Sequence, residues 1–133
     1  AAVEALPAIE IVDSRFRDYQ GTALLDRSAD CISNGGFVAG PSRQDWRSFD
    51  LKGIEAVLEI DGKEVVRKAG GHASGDPLLP AIALANDRRR HGGLPAGVVI
   101  TTGTYTGMNR ARPGQRVVAR FTGFGTAEVT FTA

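Results

Sequence analysis

Much is scarce in these 133 residues. A single cysteine, Cys31, excludes an internal disulfide and fits a reducing compartment. The two histidines, His72 and His91, stand alone, with no second His, Cys or carboxylate at metal-ligand spacing. No apolar run approaches the roughly 20 residues of a membrane span. Charge of one sign is missing too. Sixteen Lys and Arg against fifteen Asp and Glu leave +1, too balanced to draw nucleic acid or an anionic membrane by bulk electrostatics. The densest basic run, Arg88-Arg89-Arg90-His91, reads as a solvated helix end. Nothing before Ile9 has the charged and apolar regions of a signal peptide. A cytoplasmic protein without nucleic-acid or membrane partners is the expectation. The chain starts at Ala1 and enters a strand-like segment at once, as expected if a leader has been removed or if it is the later part of something longer.

What is present is a chain with 42% hydrophobic residues, enough to bury the core of one domain over residues 1–133. Residues 8–13 read as a strand, and 14–35 as loops with a short helical turn. In "IEAVLEI", residues 54–60, Ile54, Ala56, Leu58 and Ile60 alternate with Glu55 and Glu59. Asp61-Gly62 and then "KEVVRKA" make the strongest hairpin signal in the chain. Residues 77–91 read as a helix with Asp76 as N-cap, Pro77 in the first position, and Gly92-Gly93 ending it. Its apolar face would carry Leu78, Leu79, Ile82 and Ala85 or Asn86. "GVVITTG", residues 97–103, reads as a strand, and residues 115–133 as a closing hairpin. With about six strands and one or two helices, the expected class is α+β with mostly antiparallel pairing.

Glu10 is the first candidate for chemistry. It interrupts the apolar strand "AIEIV", and an unpaired buried carboxylate must be paired, protonated or bound to a cation. The plainer alternative is an outward residue, because Ala8, Glu10 and Val12 share one strand face and Ile9 and Ile11 the other. Asp13 and Arg15 beyond it could line a cleft, but a structural charge pair is the preferred expectation. "AGGHASGD", residues 69–76, is glycine-rich before a helix but lacks both phosphate-loop patterns. Cys31 reads as a small buried or half-buried side chain. "TTGTYTG", residues 101–107, gathers hydroxyls and accessible backbone N–H groups that suit an anionic oxygen, or else is a threonine-rich turn.

The order of these segments is more specific than any one of them. "PAIEIVDSRFRDY", "ADCISNGGFVAG" and "GDPLLPAIALANDRRRHGGLPAGVVITTGTYTG" follow one another, and the final hairpin closes the series. From about Leu6 to Phe131 the chain resembles the fumarylacetoacetate hydrolase superfamily, in its 2-keto-4-pentenoate hydratase and 4-oxalocrotonate decarboxylase branch. The resemblance implies a partial antiparallel β-sheet roll of that superfamily's type, the C-terminal half of a member. It implies a lyase acting on short 2-oxo or 2-hydroxydienoic acids. One Mg²⁺ or Mn²⁺ would be held by an E-x-E pair and by the carboxylate matching Glu10. The ion would chelate the 2-oxo acid and stabilise an enolate as a Lewis acid. Thr104, with Gly103 beside it, matches the position that meets the substrate carboxylate.

Ala29-Asp30-Cys31 stands where the family pattern reads A-D-N. Asp30 and Cys31 therefore fall at the substrate, with a thiol replacing an amide. Val98 replaces an acidic residue common after the L-x-A-G turn. The E-x-E strand and the proton-moving residues belong to the family's first half, which this chain does not contain, so its catalytic residues are unassigned. Glu55 and Glu59 are too far apart and on a hairpin's polar face, so they do not stand in. A companion half supplying E-x-E, a small 2-oxo acid and a homo-oligomer are the expected partners. A scaffold or oligomerisation domain that kept the fold and lost the site is the alternative.

Overall fold

The chain's strongest turn signal organises its structure, a computed structural model describing residues 2–132. Among the described residues the elements are β1 (Ala8–Val12), α1 (Leu24–Ala29), β2 (Asn34–Ala39), β3 (Glu55–Ile60), β4 (Lys63–Ala69), α2 (Leu78–Arg89), β5 (Arg116–Phe121) and β6 (Gly125–Thr130). Single 3₁₀ turns lie at Cys31–Ser33 and Trp46–Ser48. Asp61 (φ 50°) and Gly62 (φ 74°) are both left-handed, as a type I′ turn between β3 and β4 requires. The Asp61 carboxylate accepts the Arg116 N–H at 2.9 Å and the Gln115 amide at 2.8 Å. These bonds lower its pKa, the Arg116 backbone most, and tie the turn to the start of β5.

The result is an antiparallel sheet in the order β4-β3-β5-β6. The register sets Leu58 opposite Ala119 and Ala119 opposite Ala127 on one face. Leu58, Val117 and Ala119 form one buried cluster, against which Ile9, Ile60, Val66, Val129 and Phe131 pack. A second cluster of Trp46, Ile54 and Phe124 takes in Phe49, Leu78, Tyr105 and Phe121. The opposite face carries ion pairs: Arg67 with Glu55 and Glu64, Arg120 with Glu59, and Arg116 with Glu128. Val57 lies on that polar face yet is buried. Its cross-strand neighbours are Arg67 and Arg120, whose aliphatic stems can cover it while their charged ends stay in water.

β1 and β2 form a separate antiparallel ribbon, with Glu10 opposite Phe37. It meets β6 through Gly40, where a Cβ would fall 2.2 Å from the Thr126 carbonyl oxygen. Only glycine permits that approach.

The structure departs from the sequence expectations in three places. Residues 97–103 form no strand: the segment has no ladder partner among the described residues, and Val98 and Val99 are exposed. The sixth strand is instead β2, whose Gly35-Gly36 pair hid it, because glycine weakens a strand signal. The helix forms where expected. Pro77 is already helical (φ −65°, ψ −17°) and Asp76 Oδ1 accepts the Leu78 N–H at 2.8 Å. Its apolar face, however, covers little: no α2 residue is fully buried, and Leu79 and Ile82 are exposed. No helix among the described residues is long and apolar enough to cross a membrane. Ala133, the end of the expected closing strand, lies outside the described residues.

Candidate functional site

Glu10 projects from β1 into solvent. Strand alternation explains this: Ile9, on the other face, packs against the core cluster of Leu58, Val117 and Ala119. A polar chain nevertheless orients its carboxylate. The Asn34 side-chain amide donates to Glu10 Oε1 at 2.8 Å. The Arg15 guanidinium donates to the Asn34 carbonyl at 3.1 Å and pairs with the Asp30 carboxylate at 3.1 Å. The expected pairing of Asp13 with Arg15 is therefore corrected, since Arg15 takes Asp30, which is buried. A buried carboxylate needs such a partner far more than exposed Asp13 does. Asp30 Oδ2 also accepts from the Ser14 hydroxyl (3.1 Å) and the Arg15 N–H (3.3 Å).

This clamp sits beside an unusual backbone. Cys31, Ile32 and Ser33 have φ of 52°, 52° and 65°, a left-handed turn without a glycine. Each such residue costs about 1–3 kcal/mol, and a β-branched Ile there is an outlier. Backbone bonds hold the turn: Ser33 N–H to Asp30 O and Asp13 N–H to Ser33 O, both 2.8 Å. The turn pushes Cys31 into solvent, which corrects the buried or half-buried expectation. It also buries the Ser33 hydroxyl with no hydrogen-bond partner among the described residues.

The threonine-rich segment forms a second patch. Thr104 is exposed, and its Oγ1 accepts the N–H groups of Thr106 (3.1 Å) and Gly107 (3.0 Å). With its lone pairs engaged, the hydroxyl keeps its own hydrogen to donate, as an anionic oxygen requires. Gly103 has φ 118°, open to glycine but costly for other residues. Ala73 N–H donates to the Thr104 carbonyl at 3.1 Å and pins the segment to the loop before α2.

Beneath Gly103 lies His72, which the sequence showed only as an isolated histidine. It is buried, with its ring edge-on to Tyr105 at 4.9 Å. Burial lowers its pKa, opposed by the Asp76 charge and the Thr102 backbone. Tyr105 donates its hydroxyl to the Leu51 carbonyl at 2.6 Å, and burial pushes its pKa up to about 12. Both rings are neutral at ordinary pH. No signal in the sequence could have revealed His72, because its burial arises from the non-local approach of residues 101–105.

Among the described residues no three His, Cys, Asp or Glu side chains gather as a metal site. Glu10, exposed and held by an amide, suits one oxygen ligand of a hard divalent cation and not a whole site. Glu55 and Glu59 are occupied by Arg67 and Arg120 on the far sheet face. No hydrogen bond or ion pair among the described residues joins the Glu10 patch to the Thr104 patch.

No protein-family model matches the chain. Individual proteins do. A 4-oxalocrotonate decarboxylase of Pseudomonas putida is 31% identical over 135 residues, covering 98% of this chain and 50% of that protein. A 2-keto-4-pentenoate hydratase of Burkholderia vietnamiensis is 35% identical over 133 residues, covering 99% of this chain and 50% of the relative. Among solved structures, 4-oxalocrotonate decarboxylase from Pseudomonas putida G7 superposes with a TM-score of 0.81 at 30% identity in its complex with magnesium and adipate. The same enzyme complexed with calcium and acetate gives 0.79. The chain spans about half the length of the curated relatives it matches. By sequence and by fold the chain is similar, over nearly its whole length, to about half of a 4-oxalocrotonate decarboxylase or 2-keto-4-pentenoate hydratase.

Proposed function

We propose that this chain is the C-terminal half of a divalent-metal-dependent lyase acting on short 2-oxo or 2-hydroxydienoic acids. The observation that carries the reading is the match over nearly the whole chain, in sequence and in fold, to half of hydratases and decarboxylases. Glu10 is then one ligand of a Mg²⁺ or Mn²⁺ site completed by an E-x-E strand outside this chain. Bound there, the metal supplies Lewis-acid polarisation of the 2-oxo group. Asn34 holds the Glu10 carboxylate in place, and the Asp30–Arg15 clamp fixes Asn34 through its backbone. The Thr104 hydroxyl and the open backbone at Gly103 receive the substrate carboxylate. Cys31 and Asp30 border the same substrate, with the exposed thiol altering acid preference and Asp30 acting through the turn it clamps.

The partner half has an apolar surface to cover. Leu79, Ile82, Val98, Val99 and Met108 are all exposed, more than an isolated domain comfortably shows to water. A cytoplasmic homo-oligomer of the completed protein is part of the same reading. A scaffold role is the second reading, favoured by Cys31 in place of an amide and by a single candidate ligand.

The test is turnover of a 2-hydroxydienoic acid by the complete assembly with Mg²⁺, followed by loss of diene absorbance and by release of CO₂. Diene loss alone means a hydratase, and CO₂ release means a decarboxylase. Neither signal from an assembly that binds Mg²⁺ puts the scaffold reading ahead.

A further inference from the structure

His72 has a feature that packing alone does not account for. Its Nδ1 accepts the Ser74 N–H at 3.1 Å, so in the neutral ring the hydrogen sits on Nε2. That Nε2–H is buried without a well-formed hydrogen bond among the described residues, and the Thr102 backbone is the group that acts on the ring from the threonine segment. A buried donor left short of a full bond is a cost that a side chain kept only for filling space would avoid. The ring is not free to turn away, because Tyr105 stacks edge-on against it and is itself stacked on Phe121. Nε2 is directed at the backbone of the threonine segment: it lies 3.1 Å from where a Cβ on Gly103 would stand. The adjacent Ala73 N–H holds the carbonyl of Thr104 at 3.1 Å. Gly103 and Thr104 are thus seated from below by an aromatic ring and from the side by one backbone bond. The Asp76 carboxylate, which caps α2, is the charged group whose field reaches His72.

We propose that His72 is a positioning residue for the Gly103–Thr104 turn, its neutral Nε2–H edge setting the backbone on which Thr104 offers its hydroxyl to the substrate carboxylate. The proposal rests on the reading of Thr104 as a carboxylate-binding residue. It explains why position 103 is a glycine, since any Cβ would press on the imidazole. It also explains why a histidine stands at position 72: the ring must accept from Ser74 on one edge and present N–H on the other, which phenylalanine cannot do.

The experiment uses the complete assembly and oxalate as the probe, a planar dianion resembling the carboxylate and 2-oxo group. Calorimetry gives Kd for Mg²⁺ alone and for oxalate with Mg²⁺ bound, in wild type, His72→Phe, His72→Gln, Thr104→Val and the double variant His72→Phe/Thr104→Val. The expected result is oxalate binding weakened about tenfold by His72→Phe and by Thr104→Val, with Mg²⁺ affinity unchanged. The double variant should be no weaker than the worse single one, because both losses pass through Thr104. His72→Gln, whose amide nitrogen can take the place of Nε2, should recover part of the loss, and it carries the comparison if His72→Phe does not fold. Oxalate affinity that survives both substitutions at position 72 while Thr104→Val loses it overturns the positioning role and leaves the Thr104 reading standing. Fully additive losses overturn it as well. Unchanged binding in Thr104→Val overturns the carboxylate reading and the proposal together.

Discussion

The four-stranded sheet and the segment from Gly75 to Ala111 are both rich in apolar residues, yet they treat them in opposite ways. In the sheet Ala56 and Ala127 are 1% exposed and Val57 is 2% exposed, so even the polar face buries a valine. In the later segment Leu79 is 54% exposed, Val99 58% and Met108 74%. The sheet closes its backbone bonds through two tight hairpins, β3–β4 and β5–β6, joined by the long-range β3–β5 pairing, and completes its core with residues from this chain. The later segment has helix-forming and strand-forming sequence, but among its apolar residues Leu78, Tyr105 and Ala111 reach the core clusters while Leu79, Ile82, Val98 and Val99 stay exposed. Stability is therefore concentrated in one region, whereas Glu10, the Cys31–Ser33 turn and Thr104 lie outside that sheet.

That division can be tested by substitutions that separate folding from binding. Glu10→Gln in the complete assembly should cut Mg²⁺-dependent turnover by at least about 100-fold while the melting temperature stays nearly unchanged. Turnover that persists would sink Glu10 as a ligand. Leu58→Ala should do the reverse, costing about 2–5 kcal/mol in denaturant unfolding and leaving Mg²⁺ affinity intact. Gly40→Ala, which drives a Cβ into the Thr126 carbonyl, should cost about 1–3 kcal/mol and loosen the β1–β2 ribbon from the sheet. Asn34→Ala should lower Mg²⁺ affinity about tenfold by freeing the Glu10 carboxylate, with little change in unfolding.

The smallest effects concern strain and pH. Ile32→Asn places a residue tolerant of the left-handed region at φ 52° and should stabilise the protein by about 1 kcal/mol. Burial depresses the pKa of His72 below its ordinary 6.5, so the unfolded chain takes up the proton first. Its contribution to stability is complete above pH 6.5 and is lost as pH falls through the folded-state value. Urea titrations between pH 7.5 and pH 5 should show this loss in the wild type and a shallower one in His72→Phe.

Much of the fold was legible because its signals are local. Asp61-Gly62 specified a type I′ turn, alternation in residues 54–60 and 116–121 specified half-buried strands, and Asp76-Pro77 opened a helix. β2 was not legible, since Gly35-Gly36 carries no strand propensity and pairing with β1 overrides that lack. Residues 97–103 misled in the other direction: β-branched residues propose a strand, but a strand exists only where a neighbour supplies hydrogen bonds. For the candidate site, the order of motifs proposes Glu10, Gly103 and Thr104, whereas His72 and Asn34 carry no signal there. His72 meets Gly103 from 31 positions earlier, and Asn34 reaches Glu10 across 24.

The sequence by itself determined the strand and helix periods, the hairpin turns and the motif order that relates the chain to its relatives. Those are written in neighbouring residues and need no partner to be read. Tertiary structure alone decided that Arg15 holds Asp30 and not Asp13, that Cys31 points outward from a left-handed turn, and that a neutral histidine lies beneath the threonine segment. Each of these depends on which distant surfaces come within hydrogen-bonding distance, and burial and charge pairing are decided only there.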